Sequence, residues 1–411
     1  MGSALKSVDA HLADVLSVVA PLADLELQLL DAHGCVLAED VASPVPLPPF
    51  DNSAMDGYAV RSADVGDANP LTPVRLVVMG DIAAGSVATE AIRPGTCMRI
   101  MTGAPMPVGA DAVVPVEWTD GGVESVTVTR KPAVGQHVRP AGEEVAAGDT
   151  VLAAGTSIGA AQLGLIASVG RDRVRIRPRP RVVVISTGSE LAEVGGTLSG
   201  AQIFDSNSYA LTAAAREAGA VPYRVGIVPD DPRVLLNVLE DQLIRADLVV
   251  TSGGVSVGAY DVVKEVLARM GTVRFERVAM QPGMPQGFGT LGPDSVPIFG
   301  LPGNPVSAFV SFEVFVRPAL RRMLGAEPIS RPQVSATLTA PLRAPAGKRM
   351  FARGRLSVRD GARVVTPVGG SGSHLVAGLA AANALVVVPE EVTSVPAGAT
   401  VSVLVLERRQ R

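Results

Sequence analysis

Three glycine-bearing turns constrain the fold of this chain more than any other feature. Thr251-Ser-Gly-Gly-Val-Ser-Val-Gly258, Ser186-Thr-Gly-Ser-Glu-Leu191 and Gly300-Leu-Pro-Gly-Asn-Pro-Val-Ser307 each follow an apolar, strand-like run and lead towards a helical pattern. Glycine lets the backbone approach a ligand closely, and a helix start behind it offers N–H groups to an oxyanion. Each turn alone is equally well an ordinary strand-to-helix connection; three in one region favour a site, because ligands of open sheets collect at the carboxyl ends of strands. The acids Glu190, Asp205, Asp247 and Asp261 lie beside the turns. A phosphate-rich ligand with a divalent cation explains both features together. No Walker phosphate loop and no dinucleotide G-x-G-x-x-G follows a strand, which weighs against ATPase and dehydrogenase chemistry.

The periodicity around the turns is that of an α/β domain. It predicts strands over 182–185, 224–228 and 248–250, and helices over 208–218, 232–244 and 261–270. Asp231 before Pro232 and Asn304 before Pro305 pair an N-cap residue with a first-turn proline. The helix after Asn304 is expected to reach Phe315, with Pro318 ending or kinking it. Upstream, Leu5, Val8, Leu12, Val15, Leu16 and Val19 recur at helical spacing and Pro21 closes that helix. Leu25, Leu27 and Leu29 then alternate as a strand does, and the proline-rich stretch 44–49 marks a boundary. Residues 50–139 carry short Val-rich runs between Gly, Pro and Asp-Gly turns, which predicts a β-rich unit. The stretch 173–181 alternates Arg with apolar residues or Pro and reads as an exposed linker. Beyond residue 331 the β texture returns, ending in Val401, Val403 and Val405.

At 411 residues the chain has room for about two to four domains. Its 43 Gly and 32 Pro predict many tight loops rather than disorder. The formal net charge of −4, with no basic run interleaved with aromatics, gives no reason to expect nucleic acid or a membrane surface as partner. A small molecule is expected instead. Cys35 and Cys97 form neither a metal spacing nor a disulfide framework, so a cytoplasmic location is expected. The longest uncharged segment, 364–389, is interrupted by Pro367, Gly369, Gly370 and Gly372, and reads as strands and loops rather than a membrane span.

Three further stretches carry acids or hydroxyls. Pro49-Phe-Asp-Asn-Ser-Ala-Met-Asp-Gly-Tyr-Ala-Val60 is either an Asp-Gly turn with a structural Asn-Ser pair, or a place where Asp51 and Asp56 divide into proton acceptor and donor or share a metal. Residues 99–114 read as a strand, a Thr-Gly turn and a buried strand, with Thr102 able to donate to a ligand. Gly142-Glu-Glu144 adds two acids that suit a solvated turn as well as a site.

Read in order, these stretches resemble the MoeA family of molybdopterin molybdenumtransferases, which includes the C-terminal part of gephyrin. SAMDGYAV, SGGVSVG and LPGNPVS occur in sequence, accompanied by Asp205-Ser-Asn207, Asp230-Asp-Pro232, Gly370-Ser-Gly-Ser-His374 and Ala381-Ala-Asn383. The resemblance implies a multidomain α/β plus β chain: a linking domain from 1–46 and 139–178, a β-rich insertion at 47–138, a central α/β molybdopterin-binding domain at 179–328 and a small C-terminal β domain at 329–411. It implies a homodimer in which acids of the second domain reach the partner's glycine turns. It also implies molybdate insertion into adenylated molybdopterin, with Mg2+-dependent release of AMP.

Carried onto this sequence, the resemblance implies Asp56, Glu143, Glu190 and Asp261 as catalytic acids, and Glu190, Asp230 and Asp261 as metal ligands. Thr102, Ser252, Gly253, Gly254, Ser256 and Gly258 are implied for the pterin and its phosphates. Pro302, Pro305, Ser307, Arg353, Ser371 and Ser373 fall around an oxyanion pocket. Where many relatives read Lys-Pro-Gly-Lys-Pro, this chain has Gln281-Pro-Gly-Met-Pro285, so two positive charges are missing, and Lys348 is a candidate to compensate. A molybdopterin adenylyltransferase and proteins that mature molybdoenzymes are the implied partners. The alternatives are a gephyrin-like pterin-binding scaffold, and an adenylyltransferase acting one step earlier.

Overall fold

The computed structural model describes residues 5–254 and 262–406. Its centre is a six-stranded sheet in the order Val221–Val228, Arg181–Thr187, Leu248–Ser252, Val296–Leu301, Pro285–Leu291, Arg274–Arg277. The first four strands run parallel and the last two antiparallel. From Arg181–Thr187 the chain first crosses to one neighbour, then returns to Leu248–Ser252 on the other side, so the strand order reverses between these two. That reversal opens a crevice at their carboxyl ends. Side chains alternate between faces: Val182 and Val184 join one core with Leu211 and Phe315, while Val183 and Ile185 join another with Leu235 and Leu239. Because both faces are covered by helices, these strands read as continuous apolar runs.

Helices lie at Asn207–Glu217, Pro232–Leu243 and Val262–Met270, close to their expected positions. Asp231 caps its helix through bonds from the N–H groups of Arg233 and Val234, at 2.8 and 3.2 Å. Asn304 occupies the equivalent place before Pro305–Ser311 but makes no side-chain cap. Pro318 does not end that helical run. A π turn at Phe312–Val316 precedes it and the run continues as Arg317–Leu324, ending at Gly325 with φ 68°. The π turn offsets the backbone register before the residue that lacks an N–H, so the run continues beyond it.

The opening helix, Val8–Val18, buries Val8, His11 and Val15 against the central core. Leu25–Gln28, Arg173–Arg177 and Val36–Leu37 form a three-stranded sheet. The expected linker at 173–181 is therefore overturned over its first half, which is the middle strand of that sheet. Val174 and Ile176 point into a core with Leu37 and Ile166, while Arg173 and Arg175 face outward beside Glu26 and Asp24. The arginines are the outer set of a period-two pattern, which is why they mimic a solvated stretch.

A five-stranded sheet, Ala112–Pro115, Gly57–Val60, Thr96–Ile100, Val74–Ile82, Ser125–Val128, forms the β-rich unit. Tyr58 and Val60 pack on one side of it, Ala59 and Ile100 on the other. At the far end, Arg349–Arg359, Ala362–Pro367, Gln333–Leu338, Thr400–Val405 and Ala384–Val388 close into a barrel, since the first strand also pairs with the last. Met280–Gln281 leaves the central region and adds to this barrel beside Arg349 and Met350. Among the described residues no helix is long and apolar enough to cross a membrane.

Candidate functional site

Two glycine turns meet at the crevice. Ser186 is in register with Ser252, and Ser252 with Leu301, so three strands end level. Gly253 follows with φ 98°, and a Cβ there would lie 2.4 Å from the Thr187 carbonyl oxygen. Only glycine tolerates both the left-handed backbone and that approach. Asn207 ties the assembly together: its Nδ2 donates to the Ser252 hydroxyl and to the Gly303 carbonyl, each at 2.7 Å. Asp205 is buried and accepts from the Ser186 hydroxyl at 2.9 Å and the Ser208 N–H at 3.0 Å, so it braces the turn rather than facing a ligand. The Ser186–Leu191 turn does not run into a helix. It leads to a short pairing of Leu191–Ala192 with Ile203–Phe204 before the Asn207 helix begins. Asp247, expected near the turns, lies at the opposite end of the sheet, paired with Arg181 at 2.8 Å.

Glu190 and Asp230 flank the same crevice. Asp230 Oδ2 accepts the N–H and the hydroxyl of Ser189 at 3.1 and 3.3 Å, which leaves Oδ1 without a partner among the described residues. The Glu190 carboxylate folds over Gly188, where a Cβ would come within 2.5 Å of it. Both are exposed oxygen donors on adjoining turns, the donor type a hard divalent cation takes. Among the described residues no three acids, histidines or cysteines gather as a metal cluster. Ser256, Gly258 and Asp261 lie outside the described residues.

The 302–307 turn leads on to a second cavity. Pro302 and Ser307 are buried, Pro305 opens the helix, and the Val306 N–H donates to the Ser373 carbonyl at 3.0 Å. Val306 also lines a cavity of about 330 Å³ with Gln281, Arg343, Arg353 and Ser371. Arg353, expected to grip an oxyanion with its fork, instead donates to the carbonyls of Leu375 at 2.6 Å, Gly372 at 3.1 Å and Gly370. Burial depresses its pKa from the ordinary guanidinium value. It anchors the 370–375 loop and leaves a buried cation beside the cavity.

Asp56, Thr102 and Glu143 sit in the β-rich unit and its flank. Asp56 Oδ1 accepts both the N–H and the hydroxyl of Thr102, at 2.6 and 2.9 Å. The Thr102 N–H, followed by its hydroxyl, holds the Asp56 carboxyl below its usual range, so at neutral pH it is an acceptor, not a proton donor. Asp51 takes a different partner, the Ala141 N–H at 2.7 Å, so the two aspartates hold separate loops. Glu143 shares a cleft with Asn52, Gly103 and Arg139. No hydrogen bond or ion pair among the described residues joins this acid set to the crevice.

Residues 6–170 match the MoeA N-terminal region (domain I and II), 183–322 the probable molybdopterin binding domain, and 335–406 the MoeA C-terminal region (domain IV). The chain belongs to the MoeA family. It is 48% identical over 405 residues, 97% of this chain and 99% of the relative, to a Mycobacterium tuberculosis protein named molybdopterin molybdenumtransferase 2. It is 44% identical over 423 residues to molybdopterin molybdenumtransferase 1 of the same organism, covering 98% of this chain and 99% of that one. The crystal structure of the molybdopterin biosynthesis MoeA protein from Pyrococcus horikosii superposes with a TM-score of 0.81 at 31% identity, covering 98% of this chain and all of that one.

Within this MoeA-family chain, only one of the two departures in the Gln281–Pro285 stretch touches the cavity beside Arg353. Gln281 lines it, while the Met284 sulfur accepts from Arg277 at 3.6 Å. Lys348 is not a lining residue either, whereas Arg343 is. Sequence reasoning gave no role to Asn207, Ser189 or Arg343. Asn207 stands at a helix start, where asparagine is usually a cap, and its reach to two distant turns is a tertiary fact.

Proposed function

We propose that this MoeA-family chain is a molybdopterin molybdenumtransferase that takes molybdate and adenylated molybdopterin and releases AMP and the metal-loaded pterin. The observation that supports it best is that one turn, 302–307, is shared: it borders the glycine crevice through Gly303 and the cavity lined by Arg343 and Arg353 through Val306. A phosphate-bearing pterin and an oxyanion would thus be held side by side. Ser252, Gly253 and Gly254 offer a hydroxyl and backbone donors to the first; Ser371, Arg343 and the field of Arg353 face the second.

Glu190 and Asp230 would hold Mg2+ through their exposed carboxylate oxygens, with Asp261 as the further ligand that the family resemblance implies. When bound, that ion would neutralise charge on the phosphate bond that breaks. The chain's own residues orient the substrates and move protons. Molybdate oxygens leave as water when sulfurs replace them, so protons must be taken from the thiols and delivered to oxygen. Asp56, fixed as an acceptor by Thr102, suits the first task, and Glu143, in the cleft that Gly103 also lines, is the second acid of the set.

Among the described residues the acid set is not joined to the crevice within one chain, which supports a homodimer whose partner supplies Asp56, Thr102 and Glu143. The same reading divides the chain into 1–46 with 139–178, 47–138, 179–328 and 329–411. The decisive experiment incubates the purified chain with adenylated molybdopterin, Mg2+ and molybdate and measures AMP. Molybdate-dependent release is expected; none at any molybdate concentration would leave only a binding scaffold. Mixing Asp56→Asn and Glu190→Gln chains should restore partial activity, because mixed pairs retain one intact site.

A further inference from the structure

We propose that Arg343 is the residue that draws a tetrahedral dianion into the cavity between the 302–307 turn and the terminal barrel. The proposal rests on the molybdenum-transfer reading for the identity of that dianion. Among the described residues the cavity wall contains no carboxylate, and its charged side chains are Arg343 and Arg353. Arg353 is 5% exposed and both of its terminal guanidinium nitrogens donate to the Gly370, Gly372 and Leu375 carbonyls, so it contributes field rather than free N–H groups. No carboxylate pairs with it among the described residues, so its charge stays uncompensated next to the cavity.

Arg343 is placed differently. It ends the short strand Leu342–Arg343, which pairs with Ser394–Val395, so its backbone is fixed on the barrel while its side chain is exposed at the cavity wall. Its guanidinium has no hydrogen bond or ion pair among the described residues. Neighbouring cations cannot replace it. Arg349 is bound by Asp9 at 2.7 Å and by Glu390 at 3.0 Å, and Lys348 does not line the cavity. A planar fork with free donors is the group that binds two oxygens of an oxyanion together. Gln281, in the same lining, adds a neutral amide and Ser371 a hydroxyl.

The test is molybdate binding to the purified full chain, measured by calorimetry at low ionic strength. Arg343→Gln should bind molybdate about tenfold more weakly, the scale of one charge-assisted bond. Arg343→Lys should retain part of the affinity, and Gln281→Lys added to Arg343→Gln should recover it by returning a charge to the same cavity. Molybdate affinity of Arg343→Gln within twofold of the wild type, with the wild type binding, would overturn the role of Arg343. Failure of the wild type to bind millimolar molybdate would overturn it as well. The parent reading has a separate readout: absence of AMP release by the wild type sinks molybdenum transfer, whatever Arg343→Gln does to oxyanion affinity.

Discussion

Asp56 and Thr102 act as one unit, because a single carboxylate oxygen of Asp56 receives both donors of Thr102. Asp56→Asn removes the acceptor charge from an exposed loop, so turnover should fall at least about a hundredfold, the scale of a lost general base. The melting temperature should hardly move. AMP release and a thermal melt on the same preparation check both halves.

Thr102→Val keeps the backbone donor and deletes the hydroxyl. Both donors depress the Asp56 pKa, so the variant's carboxyl should titrate at higher pH than in the wild type. If ionised Asp56 is required, the acid limb of the kcat/KM profile moves upward. An unmoved limb would assign that limb to another group.

Asn207→Ala should separate the two turns it joins. Both the Ser252 hydroxyl and the Gly303 carbonyl lose a partner, at a cost of about 1–3 kcal/mol in urea unfolding. Pterin affinity should weaken with it. A stability loss without any change in pterin affinity would separate the stitch from the binding crevice.

His11 predicts a pH dependence of stability. It is buried against Phe315 at 4.7 Å, and burial lowers its pKa below 6.5, more than its 3.2 Å contact with Glu276 raises it. Above pH 6.5 both folded and unfolded states hold it neutral, and the contribution is fully present. As pH drops below that value the unfolded chain takes up a proton first, so stability declines until the folded pKa is reached. Melting temperatures between about pH 5 and 7 should fall with acid in the wild type and flatten in His11→Phe.

Arg353→Lys keeps a charge yet cannot span the three carbonyls of the 370–375 loop. Backbone amides of that loop should exchange hydrogen faster, and molybdate should bind more weakly. Protection equal to the wild type would show that a lysine suffices as anchor.

The strands flanking the crevice were legible because apolar runs ending in glycine leave few alternatives in a parallel sheet. Asp231 was legible as a cap for a local reason: its bonds reach two and three residues ahead. What failed was non-local. The arginines at 173 and 175 looked solvated until Val174 and Ile176 were seen to fill a core. Asp247 stands near the turns in sequence order but at the other end of its strand. Arg353 lines the cavity, yet its donors go to a loop some twenty residues away, which no local pattern announces.

Residues 274–277 and 285–291 belong to the central sheet, while 280–281 between them are hydrogen-bonded into the barrel. One short excursion of chain therefore laces two units together. The barrel cannot be dissected away intact: a fragment beginning near residue 330 would leave the edge at Arg349 and Met350 bare and ready to pair with a foreign strand.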